Sequence, residues 1–88
     1  MEEKYSIEFL KTSHKGSFKN KKELLDSQIC GCFYCENTFF PIEIIEWVKE
    51  TDSNETAMCP KCGIDSVLSE KYPILDKTFL SEMNKLWF

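Results

Sequence analysis

Two short cysteine pairs constrain this chain more than any other feature. They are Cys32-Phe33-Tyr34-Cys35 and Cys59-Pro60-Lys61-Cys62, the second followed by Gly63. A C-x-x-C turn aims two sulfurs at one point, and two such turns supply the four thiolates of a tetrahedral zinc site. Any fold built from this sequence must bring residues 32–35 and 59–62 together. That closes a loop of 23 residues, between Cys35 and Cys59. Closing a long loop is where a metal clip gains most from unfolded-state entropy.

The chain has 88 residues, which reads as one domain, 1–88, with a core too small to be secure without a staple. Disulfides are the less favoured staple. The cysteine count of five is odd, and residues 1–10 lack the basic start and apolar run of a secretion signal. No apolar stretch is long enough to span a bilayer. A cytoplasmic location with reduced thiols follows as the expectation, and paired cysteines there point to metal. With four protein ligands the zinc shell is closed, so one structural Zn2+ is expected rather than a catalytic ion with an open position. A redox C-x-x-C is disfavoured, because no thioredoxin-like βαβ pattern surrounds it.

The formal charge is −4, and a tetrathiolate site adds about two more negative charges. Every basic residue is lysine, so the planar fork that best reads phosphates and guanine edges is absent. Both facts argue against a dedicated nucleic-acid binder.

The expected fold class is a small, zinc-stabilised α+β domain. Two ribbon-like knuckles flank a helix, and an amphipathic helix follows. Residues 1–29 hold an N-terminal strand and a short helix. The strand rests on Tyr5, Ile7 and Phe9 alternating over residues 5–10. Residues 11–19 read as a polar loop. Asn20 is placed to cap a helix over 21–27, with Glu23 at its third position and Leu24 and Leu25 inward. Residues 30–70 form the zinc core. Within it, Pro41 suits a first helical turn, and Ile42, Ile44, Ile45, Trp47 and Val48 give a stripe at helical spacing. That predicts a helix over 41–50; a strand is the alternative, since isoleucine favours sheets. Residues 51–54 are turn composition. Residues 56–58 and 64–68 read as strands into and out of the second pair, and Gly63 permits a positive φ. Finally Asp76 caps a helix within 76–88, where Phe79, Leu80, Met83, Leu86 and Trp87 share one face.

The metal ligands are therefore Cys32, Cys35, Cys59 and Cys62. Cys30 is a fifth thiol that could replace Cys32, but C-x-x-C is the better turn, and a small buried apolar side chain is the preferred reading. His14, the only histidine, sits in a polar loop and reads as solvated. Glu43, Glu46 and Glu50 would share one helical face, either simply solvated or a surface for a basic partner. Lys11, Lys15, Lys19, Lys21 and Lys22 form the one basic cluster, with Lys19, Lys21 and Lys22 the candidate phosphate contacts. Phe39, Phe40, Trp47, Phe79 and Trp87 are expected as core around the metal. The closing Trp87-Phe88 either docks on the ribbon or is offered to a protein partner.

These residues carry a resemblance. Cys30-Gly31-Cys32-Phe33-Tyr34-Cys35, then Pro41, Glu43-Ile44 and Glu46-Trp47, then Thr56-Ala57, Cys59-Pro60, Cys62-Gly63-Ile64-Asp65-Ser66-Val67 and Trp87-Phe88 resemble a family of small bacterial and phage zinc-ribbon-like cytoplasmic proteins. The match covers roughly residues 20–88. The family implies a zinc-ribbon-like fold and brings no established activity. The first cysteine turn, the hydrophobic segment after it and then Asn54-Glu55-Thr56-Ala57-Met58-Cys59-Pro60-Lys61-Cys62 are also similar to the treble-clef scaffold of HNH nucleases. Those enzymes place an Asp-His pair where this chain has Glu46-Trp47, and no histidine follows residue 14. The likeness therefore implies scaffold without nuclease activity.

The leading functional expectation is a non-enzymatic, zinc-stapled protein-interaction module, such as an inhibitor or adaptor of a host enzyme. A nucleic-acid-associated ribbon using lysines 11–22 is the alternative, and a degenerate HNH scaffold the second.

Overall fold

The computed structural model describes residues 4–88. It is an α+β arrangement of three α-helices, two short 3-10 turns and two small antiparallel sheets. Helix α1 spans Ile7–His14, where a strand and polar loop were expected. Local chemistry explains the difference. The Ser6 hydroxyl accepts the Phe9 N–H at 3.1 Å, an N-cap. Glu8 lies in the first turn and Lys11 and His14 in the last, which suits the helix dipole. The inward face is Leu10 and Ser13, continued by Ser17 of the 3-10 turn Lys15–Ser17, so small polar residues hide its helical period.

Helix α2, Lys21–Leu25, is shorter than expected. Asn20 precedes it without capping it through its side chain. The buried Asn20 amide instead donates to the Gly16 and Val67 carbonyls at 3.0 and 2.8 Å, while its oxygen accepts the Ala57 N–H at 3.1 Å. Three segments meet on one side chain. Glu23 accepts from the Ser69 hydroxyl at 2.6 Å rather than closing a capping box. Leu24 is buried and Leu25 exposed.

Strands β1 (Cys30–Cys32), β2 (Thr38–Phe39) and β5 (Val67–Ser69) form one sheet in the order β2-β1-β5. Cys30 faces both Phe39 and Ser69 in register. Gly31 lies under Ile74, where a Cβ would come within 2.9 Å of the isoleucine Cβ. Strands β3 (Trp47–Lys49) and β4 (Glu55–Ala57) form a separate hairpin, closed by a turn with Ser53 at φ 73°.

The helix expected over 41–50 is absent. Only the 3-10 turn Pro41–Glu43 forms, tied by the Phe40 N–H to the Glu43 carboxylate at 2.8 Å, and the chain then runs extended into β3. Four β-branched residues in seven, at 42, 44, 45 and 48, favour that outcome. Ile44 is buried, whereas Ile42 and Ile45 are each 89% exposed. Glu43, Glu46 and Glu50 accordingly share no helical face.

Helix α3, Lys77–Trp87, matches expectation, with the Asp76 carboxylate accepting the Thr78 N–H at 2.9 Å. Two buried clusters result. One surrounds the cysteines: Leu24, Cys30, Phe39, Ile44, Ala57 and Val67, with Trp47 against it. The other joins α1, β5 and α3 through Leu10, Phe33, Leu68, Ile74, Phe79, Leu80 and Met83. Of the aromatics expected around the metal, Phe39 and Trp47 are there, Phe79 lies in the second cluster, and Phe40 is exposed. No helix among the described residues is long and apolar enough to cross a membrane.

Candidate metal centre

The sulfurs of Cys32, Cys35, Cys59 and Cys62 all lie within 4.8 Å of one another. Cys32 to Cys62 and Cys35 to Cys59 are each 3.7 Å. These are not disulfides, whose sulfurs stand about 2.05 Å apart. A tetrahedron with metal–sulfur bonds of about 2.3 Å has edges of about 3.8 Å, so the spacing fits four thiolates around one ion.

Both knuckles are built alike. The Tyr34 and Lys61 N–H groups donate to the Cys32 and Cys59 sulfurs, each at 3.3 Å. Backbone bonds from Cys35 and Cys62 join them. The second sulfur of each pair receives a backbone bond two residues on, from Asn37 to Cys35 and from Ile64 to Cys62. The residue after each pair turns left-handed: Gly63 at φ 81° and Glu36 at φ 62°. The second case is one that sequence reading missed, although aligning the two knuckles sets Glu36 beside Gly63. Ser66 was also missed; its hydroxyl lies 3.0 Å from the Cys32 sulfur.

Burial pushes the Cys32 and Cys59 thiols up to about 11. Burial also raises Cys62. At Cys35 burial is the largest influence and acts upward, but hydrogen bonds with Asn37, Cys32 and Cys59 together outweigh it and the net shift is downward. An N–H donated to sulfur favours the anion, so both knuckles present donors suited to thiolates. Metal binding must displace the thiol protons, and affinity falls with falling pH. Cys30 stands outside the group; it is fully buried, and burial pushes its thiol up to about 12. It behaves as a small apolar side chain, as expected.

The remaining candidates are dispersed, although Glu43 and Phe88 touch residues of the cysteine turns. Glu43 pairs with Lys61 at 3.1 Å, Glu50 accepts from the Thr56 hydroxyl at 2.8 Å, and Glu46 is exposed. Lys19 pairs with Asp52 at 2.7 Å, and Lys21 with Glu55 at 3.0 Å while lying 5.1 Å from the Trp47 ring centroid. Lys22 is exposed. His14, expected in solvent, is half-buried instead. Its ring centroid is 4.0 Å from that of Trp87. Phe88 meets Tyr34 edge-on at 4.7 Å and Phe33 at 5.9 Å, and the Asn84 amide donates to the Tyr34 carbonyl at 2.8 Å. Phe88 therefore docks on the first knuckle and Trp87 against His14 at the end of α1, both staying partly exposed.

Comparison with protein-family models, with curated proteins and with solved structures finds no match.

Proposed function

We propose that this chain is a zinc-stapled, non-enzymatic protein-interaction module of the small bacterial and phage ribbon-like kind that its motifs resemble. The observation that carries the reading is the set of four cysteine sulfurs within 4.8 Å of one another. Thiolate donors in that number suit zinc, and four protein ligands complete its usual shell. The ion supplies folding energy and leaves no position for a reacting water. Activity then belongs to the surfaces that the metal holds in register. The chain's charge of −4 favours a protein partner over nucleic acid. Two of the three candidate phosphate contacts, Lys19 and Lys21, already have acidic partners.

The test is affinity capture from a lysate of the organism that carries the sequence, with zinc-loaded and chelated protein side by side. A specific protein retained by the loaded form alone is expected. A nucleic acid retained at low salt and released steeply as salt rises would replace the reading with the ribbon alternative.

A further inference from the structure

The two edges of the β3–β4 hairpin are finished differently. Along β4, the Ala57 N–H points away from β3 and is taken by the Asn20 oxygen, and the Lys19 N–H is taken by the Thr56 hydroxyl at 2.8 Å. Along β3, ladder bonds use the even positions. The Met58 N–H donates to the Glu46 carbonyl at 3.0 Å, the Glu50 N–H to the Asn54 carbonyl at 2.8 Å, and Val48 stands opposite Thr56 between them. Alternation in an antiparallel ladder then turns the backbone groups of Trp47 and Lys49 outward. Among the described residues no third strand pairs with β3.

The side chains beside this open edge have a pattern. Glu46, Val48 and Glu50 alternate onto one face, reading acid, apolar, acid. Val48 is exposed, and the flanking Ile45 nearly fully so. Nearby carboxylates have lysine partners: Glu43 with Lys61, Asp52 with Lys19, Glu55 with Lys21. No ion pair among the described residues neutralises Glu46 or Glu50.

We infer that the β3 edge accepts an extended segment of a partner protein as a third strand, one that alternates lysine or arginine with an apolar residue on the face opposing Glu46, Val48 and Glu50. This rests on the interaction-module reading and names its surface. Main-chain bonds to Trp47 and Lys49 supply affinity, and the acid-apolar-acid face supplies selectivity. A second copy of this chain is the poorer occupant, because self-pairing brings two acidic segments together and Lys49 on the edge discourages it.

The test titrates zinc-loaded, nitrogen-15-labelled protein with an acetylated seven-residue peptide carrying lysine, valine and lysine at alternate positions and threonine elsewhere. A control peptide has glutamate for lysine. The Trp47 and Lys49 amides should gain exchange protection, and the control should bind about tenfold more weakly or less. Lys49→Pro removes an outward N–H at an edge position where proline is tolerated. It should weaken binding about tenfold, although it also removes a positive charge that opposes the peptide, and Lys49→Ala should not weaken it. Zinc content and the amide spectrum verify that each variant folds. Equal binding of the control, binding that survives Lys49→Pro, or absence of protection at both amides overturns the inference. So does a doubled mass with the same amides protected and no peptide added. If the peptide fails while a lysate partner is still captured by the loaded form, the edge falls and the module stands; if both fail, both fall.

Discussion

The two cysteine turns share a backbone and differ in what covers them. Phe33, inside the first turn, is buried in the cluster that joins α1, β5 and α3, and Tyr34 lies beneath Phe88. Ser66 touches the Cys32 sulfur. In the second turn the same places hold Pro60, half-buried, and Lys61, exposed and paired with Glu43. One knuckle is thus anchored in an apolar core as well as in the cysteine cluster. The other has the cysteine cluster, the short hairpin and the Asn20 contact. The cysteine cluster joins two units of unequal independence, and losing the proposed ion should release the second far more than the first.

The largest effect should come from breaking the metal itself. Cys59→Ser forfeits much of a binding free energy on the order of 10 kcal/mol, comparable to the whole stability of a small domain. Circular dichroism should show a largely unfolded chain with no bound zinc. If chelation leaves residual structure, amide exchange should find it around Leu10, Phe79 and Met83, and not in residues 47–57. Equal protection in both regions would remove the contrast between the knuckles.

Next comes the covering of each turn. Phe33→Ala should cost about 3–5 kcal/mol in urea unfolding, as for other buried phenylalanines. Pro60→Ala should cost under about 1 kcal/mol. Similar costs would mean that the second knuckle is anchored as firmly as the first.

A smaller pair of changes tests the shared backbone. Gly63→Ala puts a side chain at φ 81° with nothing within 4 Å to clash, so its cost, about 1–2 kcal/mol, is conformational. Glu36→Gly relieves the same conformation at the first knuckle and should raise stability by up to about 1 kcal/mol. Opposite signs are the prediction; a loss at both positions would contradict it.

The smallest effect concerns the segment that leans on α3 away from the cysteine cluster. Tyr5 donates to the Asp76 carboxylate at 2.6 Å, as does Lys4 at the same distance, and the Lys4 and Tyr5 N–H groups both donate to Glu82. The bond to Asp76 holds the Tyr5 phenol above its ordinary value of 10.0. A raised folded-state value means that the bond's contribution is complete below pH 10.0 and is lost as pH rises through the folded value. Asp76→Asn should return the Tyr5 titration, followed by phenolate absorbance or NMR, toward its ordinary range while zinc content stays unchanged.

What the sequence disclosed follows from how local each signal is. The cysteine cluster and α3 were legible because their cues sit within a few residues: C-x-x-C spacing, an Asp76 cap, and an amphipathic stripe. Helix α1 was misread because Tyr5, Ile7 and Phe9 imitate a strand, while its true inner face uses serines. The Ser6 cap was the available correction. The stretch 41–50 fits helical spacing, yet Ile42 and Ile45 point to solvent, and pairing with β4, a non-local contact, decides its state. Asn20 was placed correctly before α2 and misassigned in role, because a side chain that bridges residues 16, 57 and 67 leaves no mark in its own neighbourhood. The contact of His14 with Trp87 is hidden for the same reason.

The central claim is that one zinc ion, held by both turns, closes this fold. X-ray absorption at the zinc edge on protein purified without added metal tests it most directly. The account predicts one zinc per chain with four sulfur neighbours at about 2.3 Å. A folded protein with no metal, or zinc bound through nitrogen or oxygen ligands, would contradict it.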